Sequence, residues 1–104
     1  MSGFFIEPAA DRRLDEIYDY TADQWGDAQA DRYILRLFEH FAAIAARRVP
    51  WRQLPAEFGI SVHFARAEHH IVYWRERADG TIGIVTILHE RMHQLEQLRA
   101  VWEP

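Results

Sequence analysis

Cysteine and lysine are both missing from this chain. Without cysteine there can be no disulfide scaffold and no thiolate zinc site, a usage that fits a reducing compartment such as the cytoplasm. Without lysine, all twelve basic side chains are arginines, planar forks suited to carboxylate or phosphate. Long apolar runs are also lacking: nothing approaches the roughly 18 consecutive apolar residues of a membrane span. The opening MSGFFIEPAADRR has neither a basic leader region nor an apolar stretch of signal length. Repeats, low-complexity tracts and linkers are absent as well. A chain of 104 residues is therefore expected to form one domain, residues 1–104, in the cytoplasm. A domain of that size buries roughly two-thirds of its unfolded surface and needs no metal or disulfide to hold a core.

The formal net charge of −4 hides an uneven distribution. Residues 1–31 carry eight acids against Arg12 and Arg13, whereas residues 32–75 carry seven arginines against Glu39, Glu57 and Glu68. The acidic balance argues against indiscriminate nucleic-acid binding, while leaving room for a local basic face; no direct sequence-specific nucleic-acid binding is expected.

The hydrophobic periods set the order of elements. Phe4-Phe5-Ile6 reads as a short strand. Pro8 suits a first helical turn, and Leu14, Ile17, Tyr18, Thr21 and Trp25 then recur at helical spacing. Gly26 reads as a stop and Asp27 as the cap of a second helix. The apolar stripe of that helix runs through Tyr33, Ile34, Leu37, Phe38, Phe41, Ile44 and Ala45, with Arg47 and Arg48 in its last turn and Pro50 ending it. From Gly59 the period becomes two. Ile60, Val62 and Phe64 share one face, and His70, Val72 and Trp74 alternate with Ile71, Tyr73 and Arg75. Asp79-Gly80 is a hairpin signal, and TIGIVTIL, apolar on both faces, reads as a central strand. Met92, Leu95, Leu98 and Trp102 suggest a short C-terminal helix with one apolar side. The predicted class is α+β: an N-terminal strand, a two-helix antiparallel hairpin packed on a small antiparallel sheet in the order β-α-α-β-β-β, and a short closing helix. Phe38, Phe41, Val72, Ile84 and Leu88 are expected among its least exposed residues.

Several fragments, in order, resemble the ParE/RelE toxins of bacterial toxin–antitoxin pairs, and the ParE branch in particular. They are Tyr18-Asp19-Tyr20, Gln24-Trp25-Gly26, Gln29-Ala30 with Tyr33, the Pro50-to-Gly59 loop, His70 to Arg75, and Ile84 to Met92 with His89 and Arg91 near its end. The match spans about Phe4 to Leu98. One departure is His93, where many relatives carry Asp after the Arg-Met pair. The resemblance implies a toxin that inhibits DNA gyrase by binding and is neutralised by a small adjacent antitoxin of ribbon–helix–helix type. The RelE branch implies the alternative, ribosome-dependent mRNA cleavage.

The polar residues distinguish the two. Phosphodiester cleavage needs positive charge on the phosphate and a proton shuttle. A nuclease would have His89, Arg66, Arg75 and Arg91 to draw on, without the lysines or late tyrosine common in that branch. No catalytic residues are assigned in the preferred, non-enzymatic reading. There His89, Arg91 and Met92 contact the target. The antitoxin is expected on Met92, Leu95 and Leu98, in a groove beside the helix hairpin, with Arg66 and Arg75 binding its acidic groups. The Met92-Leu95-Leu98 stripe reads equally well as a lid on the core, and Arg66 and Arg75 as solvent-facing strand residues. His40 and His63 read as surface residues. His69 and His70, as strand neighbours, point to opposite faces and cannot readily share an ion, so no metal and no cofactor are expected.

Overall fold

Gly26 makes the helical hairpin possible. Its backbone, at φ +90°, ends helix α1 (Pro8–Trp25) and starts helix α2 (Asp27–Ala45) with no intervening loop. A side chain would be strained in that region of backbone space. Gly26 thus takes the cap position expected for Asp27, which is instead the first residue of α2. The computed structural model describes residues 3–104.

Helix α2 stops earlier than Pro50 suggests. Arg47 turns left-handed at φ +57°, and the amides of Arg47 and Arg48 bond back to Ile44 and Ala43. Arg47 and Arg48 therefore lie beyond the last helical turn, and the Arg47 guanidinium sits 3.6 Å over the Trp51 ring. The loop that follows contributes a two-residue edge strand, β2 (Arg52–Gln53).

The remaining strands are β1 (Phe4–Ile6), β3 (His63–Ala67), β4 (His70–Glu76) and β5 (Ile82–His89), in the sheet order β1-β5-β4-β3-β2. Strands β3, β4 and β5 pair antiparallel as expected; β2, formed in a segment expected to be all loop, adds an antiparallel edge to β3, and β1 joins β5 in parallel, so the sheet is mixed. The helix hairpin returns the chain to the far side of the sheet, which makes β5 central, between β1 and β4. A register shift opposite Tyr73 and Trp74 marks a bulge in β5.

Both faces of the sheet are covered. On one, α1 and α2 pack Leu14, Ile17, Leu37, Phe41 and Ile44 against Val72, Trp74, Ile82, Ile84 and Ile87. On the other, helix α3 (Gln94–Val101) buries Leu98 among Ile60, Val62, Tyr73, Val85 and Leu88. The expected layer of helices on one face is thus accompanied by a second, smaller cover. The reason is in the sequence: β5 is apolar on both faces, and each face needs shielding from water. Phe41, Val72, Ile84 and Leu88 are buried as expected. Phe38 is only half-buried, at the edge of the core against Phe4 and Phe41, because the three-residue β1 is too short to roof it. His63, expected at the surface, packs against the rings of Trp51 and Trp74.

Candidate binding groove

A groove of about 1050 Å³ runs between α1 and the turn that follows β5. Its helical wall is Arg13, Glu16, Ile17, Tyr20 and Trp25; its opposite wall is Glu90, Arg91 and Met92, and Tyr33, His70 and His89 line it as well. Periodicity explains the helical wall. Arg13, Ile17, Tyr20 and, further on, the end of α1 recur at three- and four-residue spacing on one side of the helix. Tyr20 is 67% exposed, Trp25 72% and Met92 36%, a concentration of large apolar side chains in water along one groove. Such a patch marks a binding surface more often than a stray residue.

The turn His89–Met92 is held by a mesh of hydrogen bonds. The Glu90 amide donates to the His69 carbonyl (3.0 Å) and the Met92 amide to the His89 carbonyl (2.9 Å). Gln94 donates its side-chain amide to the carbonyls of His89 (2.8 Å) and Met92 (3.2 Å), and accepts the Tyr73 hydroxyl proton at 2.8 Å. From α1, Arg13 Nε donates to the Ile87 carbonyl at 3.0 Å. Glu90 is ion-paired with Arg66. Among the described residues no group pairs with the Arg91 side chain, leaving a free guanidinium beside Met92.

Two imidazoles lie side by side in this groove. His70 and His89 are register partners across β4 and β5, with ring centroids 5.3 Å apart and edge-on. His70 Nδ1 is 2.6 Å from the Tyr33 hydroxyl, which also accepts the His69 amide at 3.2 Å. If His70 Nδ1 were protonated, the buried phenol proton would have no acceptor; the satisfied arrangement has Tyr33 donating to Nδ1. Burial pushes His70 down to about 4, helped by His89, Arg13 and His69, which keeps the ring neutral. His89 Nδ1 likewise accepts, from the Arg91 amide at 3.1 Å. With Nδ1 accepting, each ring presents Nε2 as its donor. Among the described residues no group accepts from either Nε2, and neither is sealed from solvent; the buried side-chain nitrogens without partners are His63 Nδ1 and Trp74 Nε1. Both rings line the groove.

The residues singled out from the sequence do not all converge here. His89, Arg91 and Met92 do. Arg66 reaches the edge of the site through Glu90. Arg75 is elsewhere and fully engaged: its fork binds the Glu7 carboxylate at 3.0 and 2.8 Å, and it also donates to the Glu103 carbonyl. Leu98 has no exposed surface and the partly buried Leu95 packs against the same small core, so both serve the α3 cover, on the sheet face opposite the helix hairpin. Met92 lies ahead of α3 and belongs to the turn. Tyr33, His70, Gln94, Tyr20 and Arg13 were not picked out as site residues. Trp25, which the periodicity placed on the apolar stripe of α1 with Leu14 and Ile17, instead stands in water at the end of the helix, and Tyr20 beside it gave no signal. Among the described residues, no three His, Asp or Glu side chains are grouped to hold a metal ion, and no helix is long and apolar enough to cross a membrane.

Comparison with known proteins agrees with this architecture. The family described as the ParE toxin of type II toxin-antitoxin system, parDE, matches residues 4–94. A toxin ParE of Escherichia coli is 36% identical over 98 residues, covering 94% of each chain. A toxin ParE1 of Mycobacterium tuberculosis is 35% identical over 91 residues, covering 88% of this chain and 92% of its own. Among solved structures, a chain of a chromosomal ParDE toxin–antitoxin system from P. aeruginosa superposes with a TM-score of 0.69 at 20% identity, covering 86% of this chain and 96% of that one. At that identity the structural likeness speaks to the fold alone.

Proposed function

The chain belongs to the ParE toxin family of type II toxin–antitoxin systems, and from that premise we propose that it inhibits DNA gyrase by binding, without covalent chemistry, in the cytoplasm. One observation carries the choice of binding over catalysis: the state of the two groove histidines. A general base needs a free lone pair within reach of the proton it removes. On both His70 and His89 the Nδ1 lone pair is taken, by Tyr33 and by the Arg91 amide, and Nε2 bears the proton. Arg75, an obvious candidate for phosphate charge, is bound to Glu7 instead. The two histidines thus offer donors and contact surface, with no free imidazole lone pair to act as a general base, which argues against a RelE-type mechanism that relies on them.

Arg91 supplies the free guanidinium, and Tyr20, Trp25 and Met92 supply apolar anchors; aromatic residues and arginine dominate the energetics of protein interfaces. In this reading the His89–Met92 turn touches the target. The cognate antitoxin, a small ParD-like protein of ribbon–helix–helix type, lays a segment in the same groove and so hides the turn. This replaces the Leu95 and Leu98 stripe as the antitoxin seat. Segments of that kind commonly order as they bind. Co-expression with the product of the adjacent reading frame tests the pairing. A stable complex in which Trp25 fluorescence shifts on assembly is expected; failure to co-purify would remove the antitoxin from the account.

A further inference from the structure

We propose that His70, through Nε2–H, is a fixed neutral hydrogen-bond donor on the groove floor that takes a backbone carbonyl of the antitoxin segment, with Tyr33 as the residue that positions it. The inference rests on the reading that the antitoxin occupies this groove, and it adds to that reading a specific contact and the chemistry it selects.

The geometry points to a donor whose direction is set in advance. A histidine in water exchanges its proton between two nitrogens, so using one as a donor costs the ordering of tautomer and ring. Here the order exists before any partner arrives. Tyr33 Oη is locked by the His69 amide at 3.2 Å and holds His70 Nδ1 at 2.6 Å. The ring is further fixed edge-on to Tyr33 and to His89, at 5.5 and 5.3 Å between centroids. Donors fixed in this way give more affinity per bond, because less freedom is lost on binding.

The chemistry of the donor identifies the acceptor. His70 is buried and neutral, and Ile17 and the Trp25 ring share its groove. A partner carboxylate finds the charged Arg91 at the rim. A neutral, largely buried donor suits a neutral acceptor, and a peptide carbonyl in an extended segment has its lone pairs free, unlike one inside a helix. A nucleic-acid strand is the poorer occupant. Two carboxylates, Glu16 and Glu90, line the groove itself and would repel phosphates.

Two substitutions separate the donor from the fold. His70→Gln can place an amide N–H near the position of Nε2. His70→Asn can accept from Tyr33 as Nδ1 does but cannot reach the groove. Full-length antitoxin is titrated calorimetrically against each folded toxin variant, with thermal unfolding measured alongside. His70→Asn should weaken binding tenfold or more, His70→Gln should stay within a few-fold of the parent, and both should remain folded. Nitrogen-15 NMR of the parent should find His70 protonated on Nε2, and Tyr33→Phe should disturb that state and weaken antitoxin binding. If His70→Asn binds as tightly as the parent while Trp25→Ala binds weakly, the groove reading survives and the donor role fails. If neither change affects binding, the antitoxin lies elsewhere and both fail. A ring protonated on Nδ1 also overturns the proposal.

Discussion

Arg75 and Glu7, 68 residues apart, form a forked ion pair that joins β4 to the segment linking β1 and α1. Gly83, the register partner of Arg75, makes room for it: a Cβ there would run into the Glu7 carboxylate. The pair is sheltered, with side chains 28% and 17% exposed, and Trp102 stacks beside the guanidinium. Arg75 is thus a structural clasp between the chain's two ends. Arg75→Ala should cost about 2 kcal/mol, as charge-assisted bonds in part-buried places do. Arg75→Lys should restore little, because a point charge cannot fork. Gly83→Ala should lower stability through the same clasp. Urea unfolding of the three variants checks this; an Arg75→Ala protein as stable as the parent but inactive would return Arg75 to the functional surface.

Gln94 clamps the turn that carries the proposed contact residues. Gln94→Ala removes two donated bonds and strands the Tyr73 hydroxyl, which burial pushes up to about 12. The expected cost is on the order of 1–3 kcal/mol. Amide exchange should quicken at Glu90 and Met92 well before it does in β4. Uniform quickening across the sheet would mean that the turn has no separate order to lose.

His70 gives the stability a pH signature. Its folded value, about 4, lies below the ordinary histidine value of 6.5, so between those limits the unfolded chain binds more protons. Stability should be full above about pH 6.5, fall as the pH drops toward 4, and level off below, an effect on the order of 2–3 kcal/mol. Urea midpoints at pH 7.5 and 5, compared with those of His70→Gln, isolate the contribution. An unchanged difference in the variant would assign the acid sensitivity to other groups.

The main core rests on Phe41, which has no exposed surface and meets Phe4 edge-on at 5.6 Å between centroids. Phe41→Ala should cost about 3–5 kcal/mol, read as a lowered unfolding midpoint. A loss under 1 kcal/mol would mean that the hairpin repacks freely.

Much of the fold was legible because apolar periods are local. The α2 stripe and the two-sided apolarity of β5 each follow from a dozen neighbouring residues. The parallel pairing of β1 with β5 was not, since three residues carry no signal of the partner they meet 78 positions later, as Phe4 meets Ile82. Pro50 misled the end of α2, where Arg47 adopts a left-handed turn that glycine usually makes. At the site, His89, Glu90 and Arg91 were visible as a polar cluster ending an apolar strand, with Met92 directly after it. Tyr33, His70 and Gln94 were hidden, since each gains its role from a hydrogen bond to a group made adjacent only by folding. Arg75 carried the opposite error: a strand arginine looks available until Glu7 is brought to it.

The account turns on binding without catalysis. The most direct test adds purified, antitoxin-free protein to a gyrase supercoiling reaction and, in parallel, to a translating ribosome reaction in which mRNA is mapped. Supercoiling should be inhibited, Arg91→Ala should weaken the inhibition about tenfold or more while remaining folded, and the mRNA should stay whole. Codon-specific mRNA cuts that disappear in His89→Ala, with supercoiling unaffected, would contradict the account.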